Sequence, residues 1–154
     1  MIRINVITSH LSWKRYIKNP ISFIDRKMKF FNKRNKKFKK KTIFCTLMLS
    51  NNMEIKKLNQ KFRKKNKATD VLSFPFYKKK ELENKLKKEK EIYLGYIIIN
   101  LDKILDKVNI KNFYLEFDKL WVHGFVHLFG HDHKRDKDFK KMQRVEKKYL
   151  NYLS

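Results

Sequence analysis

Four of the chain's five histidines, His123, His127, His131 and His133, fall within the eleven residues HGFVHLFGHDH at 123 to 133. Imidazoles at that density point to metal chemistry. His123 and His127 are four apart, so on a helix they lie one above the other on the same face, the spacing that lets two rings grip one ion. The neighbouring Trp121, Val122, Phe125, Val126, Leu128 and Phe129 make such a helix apolar around most of its circumference, which predicts a buried central helix. Buried imidazoles without partners are costly, and a Zn²⁺ ion satisfies both at once. Gly130 offers a left-handed stop, after which the chain can turn back and carry His133 to the same ion. Three protein ligands would leave a fourth position open, the arrangement of a catalytic zinc rather than a structural one.

On an uninterrupted helix His131 would lie within about 80° of His123 and could itself be the third ligand. Gly130 argues against that continuity, so His133 is preferred, with His131 expected as a supporting or substrate-facing group. Asp132 could accept an N–H from a ligand histidine or brace the turn. Glu116 and Glu146 lie on the flanking helices and could do similar work, but helical carboxylates are usually surface charges, and neither is a first choice. The spacing His127-x-x-Gly130-x-x-His133 repeats the second half of the metzincin zinc motif, H-E-x-x-H-x-x-G-x-x-H. Its catalytic glutamate is absent, because Gly124 occupies that slot. Peptidase chemistry needs a carboxylate to take a proton from water, so a metal hydrolase acting on a peptide or small molecule survives only if another carboxylate, such as Glu116, reaches the site.

The elements that must position these residues follow from periodicity. MIRINVITSH alternates like a strand at about 2 to 7. Asn19 and Pro20 open a helix with Ile21, Ile24, Met28 and Phe31 at helical spacing, closed by the basic connector KRNKKFKKK. TIFCTLMLS (42 to 50) is a buried strand. Asn51 and Glu54 form a capping-box-like start to a helix with Ile55, Leu58 and Phe62 on one face. DVLSFPF (70 to 76) is a strand that Pro75 marks as an edge. YKKKELENKLKKEKE is a solvated loop or surface helix, and YLGYIIIN (93 to 100) a further strand. Helices follow at about 112 to 129, carrying the histidines, and at about 136 to 152, with Phe139, Met142, Val145 and Tyr149 inward. The expectation is a single α+β domain over 1–154: a small mixed sheet packed against helices, with a central buried helix bearing His-x3-His.

The balance of 40 Lys and Arg against 15 Asp and Glu leaves a formal +25. That charge attracts polyanions, nucleic acid first and an anionic membrane surface second, although the lysines are scattered and a coding bias could account for many. One cysteine, Cys45, excludes an internal disulfide and suits a reducing cytosol. No segment reads as a signal peptide or membrane span, so the protein is expected to be cytoplasmic and off the membrane.

HGFVHLFGHDH resembles the signature of the YbeY-type endoribonucleases, the bacterial rRNA maturation factors, H-G-x-x-H-L-x-G-x-D-H. LNQKFRKKNKATDVLSFPF (58 to 76) is similar to that family's L-N-x-x-[YF]-R followed by T-[DN]-V-L-S-F-P. LGYIIIN resembles its L-G-D-I strand and MQRVE (142 to 146) its closing M-x-x-x-E. Tyr96 stands where the family usually has Asp, and His131 where it usually has Tyr. The resemblance implies a zinc-dependent, single-strand-specific endoribonuclease that matures small-subunit ribosomal RNA and supports ribosome quality control. It implies one zinc per chain on His123, His127 and His133, with Arg63 on the substrate phosphate. Thr69, Asp70 and Ser73 are expected to fix the turn and strand rather than perform chemistry. The alternative is a non-catalytic assembly factor that binds rRNA and uses zinc only to fold. A fourth protein ligand would favour it.

Overall fold

The computed structural model describes residues 1–154. Four strands, β1 (Ile2–Thr8), β2 (Thr42–Ser50), β3 (Val71–Pro75) and β4 (Glu91–Asn100), form one mixed sheet in the order β1-β2-β4-β3. The β1–β2 and β2–β4 pairs are parallel, and β3 runs antiparallel to β4 at the edge. Five helices complete the fold: α1 (Pro20–Arg34), α2 (Asn52–Arg63), α3 (Lys79–Lys88), α4 (Ile110–Leu128) and α5 (Asp136–Asn151). This is the α+β arrangement expected from the sequence, with the histidine helix α4 at its centre.

Alternation decides which face of the sheet is covered. Ile2 and Ile4 of β1, Ile43, Cys45, Leu47 and Leu49 of β2, and Ile92 and Leu94 of β4 point to one side. There α1 and α4 close over them, with Phe31 against Phe125 at 6.1 Å between ring centroids. The opposite face is covered at one end only, where Ile55 of α2 packs on Leu72 and Ile98. No helix is long and apolar enough to cross a membrane.

Local sequence accounts for the element boundaries. Asn19 Oδ1 accepts from Ser22 N at 3.0 Å and Pro20 occupies the first turn, so α1 starts where its missing N–H costs nothing. Asn51 Oδ1 accepts from Glu54 N at 3.1 Å, but the Glu54 carboxylate turns to Ser9 and Ser50 instead of closing the box. The charged stretch after β3 is the surface helix α3. Between β1 and α1 a 3-10 turn, Leu11–Arg15, buries Trp13, whose Nε1 donates to Ser50 O at 2.9 Å.

Three residues expected on inward stripes are exposed: Ile21, Phe62 and Phe139. Each lies in a terminal turn, where a helix has neighbours along only one direction of its axis. Gly95 marks a further departure from regularity. At φ +134° it is the extra residue of a bulge on β4 opposite β2, in a conformation open to glycine. A Cβ there would stand 2.1 Å from Phe74 O.

Candidate metal centre

α4 brings the first two histidines to the mouth of a cleft of about 1010 Å³. Its seating depends on small contacts with the edge of the sheet. A Cβ on Gly124 would lie 2.6 Å from Ile97 Cγ2 and 3.0 Å from Ser73 Oγ, and Ser73 Oγ donates to Gly124 O at 3.1 Å. The slot that lacks a glutamate is therefore a packing position, letting α4 approach β3 and β4. After α4 the chain reverses at Gly130, φ +88°, with Gly130 N donating to His127 O at 2.9 Å.

That reversal carries His133 back, so that one ring nitrogen each of His123, His127 and His133 lies within 4.8 Å of the others. The other ring nitrogens are already committed. His123 Nδ1 donates to Glu146 Oε1 at 2.6 Å, and His127 Nδ1 donates to His131 O at 2.9 Å. Both rings are thus fixed with Nε2 as the free lone pair, and the two Nε2 atoms face each other at 3.2 Å. With zinc–nitrogen bonds of about 2.0–2.1 Å, two corners of a tetrahedron stand about 3.3 Å apart, close to that separation. The only other way to reconcile the two lone pairs is a proton shared between the rings. Burial first, and then the neighbouring His123, hold His127 below the ordinary histidine value, which disfavours that proton. The donor set fits a metal ion.

The remaining candidates fall around this centre. The His131 ring is not part of the cluster; its backbone carbonyl orients His127, and burial followed by Lys141, Lys79 and Lys37 pushes its pKa down. Asp132 Oδ1 accepts from His133 N at 2.7 Å, bracing the turn. Glu116 accepts from Leu105 N at 3.0 Å and so ties a loop, away from the cluster. Thr69 Oγ1 donates to Val71 O and Asp70 Oδ1 accepts from Val71 N, both at the start of β3. Arg63, in the last turn of α2, lines the cleft: Nη2 donates to Ser73 O at 2.6 Å, and the guanidinium lies 5.4 Å from the Phe74 ring. One edge of the fork is anchored to β3, and its other donors remain available. Lys65, Lys78, Lys79 and Lys134 line the same cleft with Arg63, outnumbering its carboxylates, Asp70, Glu81 and Asp132, so its balance is positive.

Glu146, not a first choice from its sequence, is the partner that orients His123. The signal was present: at i+4 from Met142 and three before Tyr149, both buried, it shares the inward face of α5. A carboxylate on an apolar stripe needs a polar partner, and His123 is it.

The model of the family described as endoribonuclease YbeY matches residues 9–154. The chain belongs to that family. Its relatives include the Pelagibacter ubique endoribonuclease YbeY, 46% identical over 150 residues, covering 95% of this chain and 92% of that one. The Thermodesulfovibrio yellowstonii endoribonuclease YbeY is 33% identical over 144 residues, covering 89% and 84%. Among solved structures, the solution structure of TM1509 from Thermotoga maritima aligns with a TM-score of 0.57 at 26% identity, covering 99% of this chain and 89% of that one. The YbeY match thus takes in β2, β3 and β4, the cleft and the histidine turn together.

Proposed function

We propose that this protein is a zinc-dependent endoribonuclease that cuts single-stranded RNA in the maturation of small-subunit ribosomal RNA and in ribosome quality control, acting in the cytoplasm as one catalytic domain. The observation that carries the reading is the pair of committed Nδ1 atoms, which leaves the Nε2 lone pairs of His123 and His127 aimed at one point, with His133 beside them, in a cleft whose charge balance is positive. His123, His127 and His133 would hold the ion, one per chain. When bound, zinc supplies Lewis acidity to an oxygen of the phosphate or of the attacking group.

The chain's own residues do the rest. Glu146 and the His131 carbonyl hold two rings in the ligating tautomer. Arg63 offers its unanchored N–H donors to the phosphate, where a planar fork matches two oxygens. The lysines around the cleft draw in the RNA backbone. Three protein donors, with the His131 ring outside the cluster, leave room for substrate on the ion, which supports catalysis over a purely structural metal.

The test is metal analysis of the purified protein together with cleavage of single-stranded and duplex RNA, with and without chelator. About one zinc per chain and chelator-sensitive cutting of the single strand are expected. Histidine-bound zinc with RNA binding and no cutting would put the assembly-factor reading in its place. His133→Ala should abolish metal retention and His131→Ala should not; the reverse would move the third ligand.

A further inference from the structure

The bulge at Gly95 does more than bend β4. Tyr93 and Tyr96 are three residues apart, so in a regular strand they would point to opposite faces. The extra residue changes the phase: Ile92 and Leu94 face the main core, and so do Ile97 and Ile99, which leaves Tyr93 and Tyr96 together on the other side. Their ring centroids are 6.0 Å apart. Phe76, just past the end of β3, joins them at 5.0 Å from Tyr93 and 5.9 Å from Tyr96. Phe74 is the cross-strand partner of Tyr96, and Phe62 of α2 meets Phe74 at 5.6 Å. α2 stops short of this end of the sheet, so the aromatic surface is open. Phe62 is 60%, Phe76 54% and Tyr96 37% exposed.

Such a surface needs an explanation, because contiguous exposed aromatics are costly unless something covers them. A second copy of the chain is a poor occupant, since two molecules of +25 repel each other. The rim points elsewhere: Lys61 Nζ lies 5.3 Å over the Phe62 ring and the Arg63 guanidinium 5.4 Å over Phe74. Phe76 and Arg63 also line the metal cleft, so the aromatic face and the cleft meet across the β3 edge. Aromatic rings with cations between them, continuous with a nuclease cleft, are the components of a single-strand stacking platform.

We propose that the open sheet face at Phe62, Phe74, Phe76, Tyr93 and Tyr96 stacks unpaired bases of the RNA strand whose phosphate lies in the cleft. The proposal rests on the nuclease reading for the identity of the strand, and goes beyond it by assigning a second, base-contacting site outside the metal centre. A strand leaving the cleft over the edge of β3 meets Phe76 first and Tyr96 next. Base stacking tolerates any sequence and rejects duplex, whose bases have no free faces, so the platform would itself select single strands.

The experiment compares binding of a labelled twelve-residue single-stranded oligoribonucleotide with that of a four-residue one, in chelator so that neither is consumed. A stacked base is worth roughly 1–3 kcal/mol, so Tyr96→Ala should weaken the twelve-mer about 5- to 150-fold. The tetramer, confined to the cleft, should bind as before, and Tyr96→Trp should keep wild-type affinity for both. With metal restored, Tyr96→Ala should raise KM for a long single strand and leave kcat unchanged. Equal losses for both lengths, no loss for the twelve-mer, or a Trp variant as weak as Ala would overturn the proposal. So would a wild-type dimer that Tyr96→Ala converts to monomers, which would assign the face to a second copy. A protein that binds the twelve-mer through Tyr96 yet cuts no RNA would sink the nuclease reading alone; one that cuts normally with Tyr96→Ala neutral would sink the platform alone.

Discussion

Glu146 and Arg63 act on the same cleft in different ways, and measurement can separate them. Glu146 touches the site only through His123 Nδ1, so Glu146→Ala should leave all three ligand rings present but one unoriented. Loss of such a partner typically costs 10- to 100-fold in metal affinity, readable by competition with a chromogenic chelator. Unchanged affinity would mean that the ring is held by packing. Arg63 should behave oppositely. If its free donors meet charge that develops on the phosphate during cleavage, Arg63→Ala should slow cutting by roughly 10²-fold or more with zinc content intact. Arg63→Lys should recover only part, since an ammonium keeps the charge and loses the two-point contact. A wild-type rate for Arg63→Ala would return Arg63 to the solvated background. The lowered pKa values of His127 and His131 add a pH dependence. Both rings are neutral in the folded state where unfolded histidines, near 6.5, begin to take protons. Their stabilisation of the metal-free protein is present above about pH 6.5 and is lost as pH falls below it, through the lower folded values. Thermal melts in chelator should show Tm declining from pH 7 to pH 5, and His127→Gln should shallow that decline.

At the scale of elements, the candidate metal centre depends on how α4 is held. Asp118 of α4 accepts from Lys27 of α1 at 2.5 Å and from Trp121 Nε1 at 2.9 Å. Burial nevertheless pushes its carboxyl pKa up, the ion pair and the indole only partly offsetting it. Removing one partner of such a pair strands a charge, so Lys27→Met should destabilise the fold by about 3–5 kcal/mol in denaturant titrations, whereas a loss under about 1 kcal/mol would mark the pair as replaceable. Gly124→Ala should cost about 1–3 kcal/mol by forcing α4 off Ile97 and Ser73, with weakened metal binding as its second symptom. The sequence made the existence of α4 legible, because its histidine spacing and apolar residues share one helical period. It made the turn at Gly130 legible for the same kind of local reason. The Lys27–Asp118 pair joins residues 91 apart, and no local pattern announces it. The 3-10 turn that buries Trp13 is too short to show a period. The bulge at Gly95 is a single residue whose effect appears only against β2, so Tyr96 read as one departure from a motif and not as part of a surface. The period of α2 alone places Phe62 with Ile55 and Leu58 on one face, and its exposure depends on where α2 stops.

For the whole molecule, the question is how much of the +25 charge engages RNA. Salt dependence answers it, because each phosphate neutralised on a single strand contributes about −0.7 to the slope of log K against log salt. Arg63, Lys65, Lys78, Lys79 and Lys134 line the metal cleft. Five contacts would give a slope of about −3.5, a loss of roughly 10²-fold in affinity between 50 and 200 mM salt. A second groove of about 850 Å³ runs between α4 and α5, shares His123 with the cleft, and is lined by Lys119, Lys140, Arg144 and Lys147. Were RNA to fill both, nine contacts would steepen the slope to about −6. A flat response would assign the lysine excess to composition with no part in binding. The slope also tests the aromatic face independently of charge: Tyr96→Ala should lower the affinity for a twelve-residue strand at every salt concentration and leave the slope itself unchanged, because stacking displaces no counterion. A slope that changes with Tyr96→Ala would show that the substitution had moved the strand's phosphates as well as its bases, and the cleft and the sheet face would then have to be treated as one binding surface.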